Sequence, residues 1–191
     1  MSSELLGLVI VVGVTLLSSV MYVVSGAYRR EDQNEISDRG RFILGPFARN
    51  WLFWFLGPLE RLAVGLRISP TTFNALGVAF GVSAGFCFGT GNLNPGGWLI
   101  LLSGTVDVLD GRIARAQGLA SPRGAFLDST LDRFAEVGAF VGLAVFYRDS
   151  VALTIIVACA MGGSLLVSYA RARGEGIGVI CNVGLMQRAE R

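Results

Sequence analysis

An all-α, polytopic membrane bundle is the fold class this sequence predicts, and three observations predict it. Of the 191 residues, 52% are hydrophobic and 16% charged. The apolar residues come in blocks of about twenty, the length a helix needs to cross a hydrocarbon layer of roughly 30 Å. Gly77, Gly81, Gly85 and Gly89 recur at every fourth position, the spacing that lets membrane helices approach closely. Arginines fall in alternate loops, which gives every span a consistent direction.

The first element is an uninterrupted apolar run over 5–27, with Glu4 before it and Tyr28, Arg29 and Arg30 after it. A cleaved signal peptide has a shorter core preceded by basic residues, so the run reads as a retained transmembrane anchor. A polar linker follows, which divides the chain into an N-terminal anchor and linker, 1–41, and a membrane domain, 42–191. Next, over 47–66, Trp51, Trp54, Phe55 and Leu59 recur at helical spacing between Arg49, Glu60 and Arg61. Rings and charges together suit an amphipathic helix lying in the membrane interface, and they suit a helix packed on protein equally well. Four core spans follow, at 72–90, 98–116, 124–147 and 151–170. Ser69 and Pro70 supply an N-cap and a first-turn proline for the first of these. Its glycine stripe is a packing face, either internal or for a homodimer. Gly91 to Gly97 read as a tight, uncharged turn.

Arg29, Arg30, Arg39 and Arg41 follow the first span, and Arg115 and Arg123 lie between the third and fourth. Arg171, Arg173, Arg188 and Arg191 follow the fifth. Placing these on the cytoplasmic side of the cell (inner) membrane puts the N-terminus outside.

Composition excludes several chemistries. The formal charge is +2 and there is no histidine, and every basic residue is arginine. No basic field argues for nucleic acid, and no histidine or lysine can act as base, nucleophile or metal ligand. Arginine suits the holding of phosphate, through planar two-pronged contacts. Cys87, Cys159 and Cys181 form neither a disulfide framework nor a metal pattern and read as core filler.

Four acids stand out against this background. Asp107 and Asp110 lie near the cytoplasmic end of one span, and Asp128 and Asp132 in the first turns of the next. Spacings of three and four put each pair on one helical face, so two antiparallel helices would gather the four at one depth. Clustered carboxylates repel unless a positive group lies between them. Hard divalent ions such as Mg²⁺ or Mn²⁺ fill that role, and four carboxylates can share two ions able to clamp a phosphoryl displacement. Gly111 and Ala114 strip bulk from the helix beside Asp110, and Arg115 can reach a phosphate. Intramembrane acids also serve as glue between helices or as a cation path, so a divalent-cation transporter or sensor is the alternative. A path would string its acids across the membrane depth, whereas these share one level.

The constellation Asp107, Asp110, Gly111, Ala114, Arg115, Gly124, Asp128 and Asp132 resembles the signature D-x2-D-G-x2-A-R-x8-G-x3-D-x3-D of the CDP-alcohol phosphotransferase family, at every fixed position. The resemblance implies a membrane enzyme of phospholipid biosynthesis, often dimeric, that transfers a phosphatidyl-type group from a CDP-linked lipid to an alcohol and releases CMP. It implies that Asp107, Asp110 and Asp128 hold two metal ions. Asp132 would act as the general base and also touch a metal, and Gly111, Ala114 and Arg115 would line the CDP site. The arginine runs at Arg171, Arg173, Arg188 and Arg191 resemble the phosphatidylinositol-phosphate synthase branch, where arginines hold the phosphate of an inositol phosphate. A solvated positive flank explains them too, and glycerol phosphate or another alcohol stays open as acceptor. Asn74 is expected to pack rather than to bind nucleotide. The family has six core spans and four are legible here, so the last two are expected to be absent.

Overall fold

The computed structural model describes residues 3–27 and 45–178, and among these every regular element is helical. The order is α1 (Ser3–Val24), α2 (Gly45–Gly65), α3 (Pro70–Gly89), α4 (Leu93–Ala116), α5 (Pro122–Phe146) and α6 (Val151–Gly176). They form two compact units that divide after Leu62.

In the first unit, Tyr22 of α1 is buried and meets Phe47 edge-on at 5.5 Å and Trp54 at 5.6 Å. Trp51 Nε1 donates to Ser18 Oγ at 3.2 Å, and that hydroxyl donates to the Val14 carbonyl at 2.6 Å. The aromatic face of α2 therefore packs partly on protein, while Phe55 and Leu59 stay exposed. These contacts tie the first turns of α2 to α1.

The second unit is built around α3, which packs against both α4 and α5. The glycine stripe decides how closely. A Cβ on Gly85 would lie 2.0 Å from the Gly138 carbonyl oxygen, and one on Gly142 would lie 2.0 Å from the Gly85 oxygen. Gly81 meets Ala135 in the same way, at 2.5 Å. Small residues on both helices thus allow backbone-to-backbone contact. A four-residue repeat drifts around the helix by about 40° per step at 3.6 residues per turn, so Gly77 turns toward α4. There its carbonyl accepts from Ser103 Oγ at 2.9 Å. The stripe is an internal seam, and of its two expected uses the structure occupies this one.

Boundaries differ from expectation in instructive places. Ser69 stands at the N-cap of α3, but its side chain accepts no capping hydrogen bond, and its carbonyl accepts from Thr72 N at 3.0 Å instead. The expected turn over 91–97 is shorter, because Asn94 to Gly97 belong to the first turn of α4. Proline is tolerated there, where its missing N–H has no helical partner. Gly96 is required because a Cβ would lie 2.4 Å from the Phe88 ring. Gly91, with φ of +84°, makes the reversal itself. Helix α5 starts at Pro122, where Ser121 Oγ accepts from Gly124 N at 3.1 Å, a well-formed N-cap. Helix α6 continues to Gly176, so Arg171 and Arg173 sit on its last turns rather than beyond it. Cys159 on α6 is exposed and Cys87 half-buried, so neither is core filler in a closed interior. Cys181 lies outside the described residues.

Five spans were expected, and α1, α3 and α6 are long and apolar enough to cross a membrane by composition. Helices α4 and α5, at 24 and 25 residues, are also about 36 Å long at 1.5 Å per residue. Their hydropathy is lowered by the acids and arginines clustered on them. The chain is a multi-pass membrane protein.

The seam makes a direct prediction. Gly85→Ala should lose about 1–3 kcal/mol of stability through overpacking against backbone. Gly97→Ala, with open space around it, should be neutral or slightly stabilising. Thermal unfolding in detergent distinguishes them, and equal midpoints would contradict the close seam.

Candidate functional site

The site forms where the C-terminal end of α4 meets the start of α5. Leu109 and Ile113 are fully buried and lock one face of α4 inward. Asp107 and Asp110 flank this anchored turn, three residues apart and so on neighbouring positions of one face. The loop over 117–121 returns the chain, and Gln117 Nε2 ties it back to the Ile68 carbonyl at 3.0 Å. The capped start of α5 then aims Asp128 back toward α4.

Asp107, Asp110 and Asp128 each offer a carboxylate oxygen, and these oxygens lie within 4.8 Å of one another. Asp110 is 4% exposed, while Asp107 and Asp128 are half-buried. Ligand oxygens on one hard divalent ion stand about 2.0–2.6 Å from it, so a separation of this size suits a shared cation. The chemistry of the donor set agrees, since it contains only carboxylate oxygens. Oδ1 of Asp128 and Oδ2 of Asp132 are buried and accept no hydrogen bond, although both residues make other interactions. A buried carboxylate oxygen in that state is costly unless a cation or donor meets it.

Of the four acids expected together, three form the cluster. Asp132 lies one turn further along α5, half-buried, and outside the closely spaced group. It shares the α5 face with Asp128 by its spacing of four.

Asn74 has a larger part than the sequence suggested. With its amide nitrogen facing them, it donates to Asp110 Oδ2 at 2.7 Å and to the Pro70 carbonyl at 3.0 Å. The opposite orientation would set oxygen against oxygen. Helix α3 thereby fixes the orientation of the most buried acid, a link the spacing of Asn74 could not reveal.

Gly111 and Ala114 are half-buried beside the acids and Arg115 is exposed. A Cβ on Gly111 would meet Arg115 Nη1 at 3.5 Å, so the guanidinium folds back over this bare stretch of helix. Arg171 is exposed and pairs with Glu175 at 3.1 Å, and Arg173 is exposed one turn from the end of α6. Arg188 and Arg191 lie outside the described residues. The sequence reading missed Arg133, Glu136, Ser164 and Ser168. Arg133 pairs with Glu136 on α5, Arg133 Nη1 donates to Ser168 Oγ at 2.9 Å, and Ser164 Oγ donates to Glu136 Oε1. Opposite charges three residues apart inside an apolar span were the available signal.

Residues 68–182 match the profile of the CDP-alcohol phosphatidyltransferase family. The chain is 38% identical over 159 residues to a phosphatidylinositol phosphate synthase of Streptomyces avermitilis, covering 80% of this chain and 64% of that protein. It is 39% identical over 138 residues to an archaetidylinositol phosphate synthase of Methanothermobacter thermautotrophicus, covering 72% of this chain and 67% of that one. The chain thus spans about two thirds of the length of these curated relatives. Among solved structures, it resembles Mycobacterium tuberculosis phosphatidylinositol phosphate synthase with CDP-DAG bound, at a TM-score of 0.62 and 29% identity, covering 70% of this chain and 69% of that one. A second structure of that synthase, in complex with manganese and citrate, matches at a TM-score of 0.62 and 28% identity, covering 69% and 65%.

Removing the Asn74 donor should loosen Asp110. Asn74→Ala is expected to weaken Mn²⁺ binding about tenfold or more, the usual cost of losing a partner that orients a ligand. Calorimetric titration measures it, and unchanged affinity would reduce Asn74 to a packing residue.

Proposed function

The chain belongs to the CDP-alcohol phosphatidyltransferase family, and from that premise we propose that it transfers a phosphatidyl-type group from a CDP-linked lipid to an alcohol, releasing CMP. We assign an inositol phosphate as the acceptor. The observation that carries the reading is the convergence of Asp107, Asp110 and Asp128 within a motif matched at all its fixed positions.

These three carboxylates would hold the divalent metal, Mg²⁺ or Mn²⁺, as two ions with Asp132 at the edge of the second. When bound, the ions neutralise the donor's diphosphate and stabilise charge on the oxygens of an in-line displacement. The chain's own groups do the rest. Gly111 and Ala114 leave room for the CDP moiety against α4, and Arg115 lies over that surface, able to reach a phosphate oxygen. Asp132, one turn from the cluster, accepts the proton of the attacking hydroxyl. The acceptor oxygen forms a bond to the phosphorus attached to the lipid, and the bond from that phosphorus to the CMP oxygen breaks. The proton ends on Asp132. Direct attack needs positioning and a base, with no covalent intermediate on the protein.

Support for a phosphorylated acceptor comes from Arg171 and Arg173 on the last turns of α6, with Arg188 and Arg191 following in sequence, and from the names of the relatives. Arg171 must exchange its surface pairing with Glu175 for the phosphate, a modest cost for an exposed pair. The arginine distribution supports an active site facing the cytoplasm. A homodimer would use a face other than the glycine stripe of α3, which α5 occupies.

The test is CMP release from CDP-diacylglycerol, Mn²⁺ and a panel of alcohols. Inositol phosphate should support it, chelation of the metal should abolish it, and Asp132→Asn should lower kcat about 10²–10⁴-fold while Mn²⁺ still binds. No CMP with any acceptor would reject the reading. Metal flux across liposomes without dependence on CDP would favour a transporter instead.

A further inference from the structure

Among the described residues, helix α6 buries few of its side chains. Val157 is its one buried residue, and its apolar side chains, Ile155, Ile156, Leu166 and Val167 among them, are exposed. Gly162 and Gly163 face open space. A helix with so few interlocking side chains can slide along its neighbour with little change in apolar contact, because the lipid that replaces those contacts is equally apolar. Its start is tied by Thr154 Oγ1 donating to the Tyr147 carbonyl at 2.9 Å, close to the turn it leaves.

About four turns further along lies the network of Arg133, Glu136, Ser164 and Ser168. Arg133 and Glu136 pair on α5, three residues apart, and each engages one serine of α6. Arg133 Nη1 donates to Ser168 Oγ at 2.9 Å, and Ser164 Oγ donates to Glu136 Oε1. The two serines are four residues apart and so lie on one face of α6. The crossed order, with the earlier α5 residue joined to the later α6 residue, is the order that an antiparallel pair requires. Arg133 lies eleven residues into α5, about 16 Å along it at 1.5 Å per residue, a depth at which charged groups are costly unless paired. The side chains of Arg133 and Glu136 are 28% and 22% exposed.

We propose that this network is a positioning device that sets the register of α6 against α5 and so fixes the acceptor-side arginines at the depth of the acidic cluster. Buried ionic groups add little net stability, and their best-attested use is to specify one register. Continuing the observed pairing toward the cytoplasm-directed ends brings Arg171 level with Thr130 and Arg173 level with Asp128. A slip of one helical turn, about 5.4 Å, would carry both arginines out of that level while costing α6 almost no apolar contact. Arg133 adjoins Asp132 in sequence, so the same network steadies the turn that carries the base. The assignment rests on the proposed function in one respect, that Arg171 and Arg173 hold the phosphate of the acceptor.

The test uses the full chain with two kinds of readout. Spin labels are placed at the exposed positions Val141 of α5 and Leu166 of α6, after Cys87, Cys159 and Cys181 are replaced by serine. The distance between them should be narrowly distributed in the parent chain and broadened or shifted by Glu136→Gln with Ser164→Ala. The milder Ser164→Ala alone should move it in the same direction, which covers the case in which the double variant fails to fold. In transfer assays the double variant should raise the KM for a phosphorylated acceptor about tenfold, leave Mn²⁺ and CDP-lipid affinity unchanged, and be partly rescued by restoring Glu136. An unchanged distance distribution overturns the proposal. Loss of Mn²⁺ affinity equal to that of Asp128→Asn also overturns it, because the network would then serve the metal site. Should the parent chain release no CMP with any acceptor, the functional reading fails, and the distance measurement alone still decides the register.

Discussion

Backbone contact between α3 and α5 is the constraint on which the rest of this membrane unit depends. Gly85 faces Gly138 and Gly142 with no room for a single methyl group, so the two helices touch as closely as helices can. In water, apolar burial would hold them; between helices in lipid, close van der Waals packing carries more of the work. The same α3 holds α4 through Ser103 and the Gly77 carbonyl. Two helices fixed to one support are fixed to each other, and the acids of α4 and α5 come together between them. Asn74, on that support, donates to Asp110. Seam and site are one construction, and a wider α3–α5 spacing would move Asp128 away from Asp107 and Asp110.

That construction explains why so costly a set of groups can persist here. Three carboxylate oxygens within 4.8 Å repel strongly where water is scarce. The close seam holds the helices that carry these acids together, so a divalent cation could bind between them without a rearrangement of the bundle. Such preorganisation resembles that of metal sites generally, in which partners outside the ligand set orient the ligands. The polar network between α5 and α6 applies the same logic one layer out. It uses ionisable groups to set the register between two largely apolar helices.

The sequence made the composition of the site legible and left its neighbours hidden. Asp107, Asp110, Asp128 and Asp132 could be placed by helical periodicity, because position on a face is a local property of a chain. The same holds for the helices themselves, whose apolar blocks and terminal prolines announce them. What periodicity cannot say is which helix lies opposite a face. The glycine stripe was evident, yet nothing in it distinguished α5 from a second copy of the chain. Asn74 read as packing because its partner Asp110 is 36 positions away, and Arg133 and Glu136 escaped notice because their serines lie on another helix. The separation of Asp132 from the other three acids likewise depends on the angle between α4 and α5, which no spacing encodes. The misplaced turn at Asn94 to Gly97 has a local cause. Proline and two glycines suggest a loop, but the first turn of a helix tolerates proline, and Phe88 demands the glycine.

The central claim is that α3 holds α4 and α5 so that Asp107, Asp110 and Asp128 grip a divalent metal. The most direct measurement is anomalous diffraction from crystals grown with Mn²⁺, collected at the manganese edge. The account predicts strong density between these three carboxylates, within about 2.0–2.6 Å of their oxygens, that disappears in Asp110→Asn. Saturating Mn²⁺ with no density there, or density only at other sites, would contradict it.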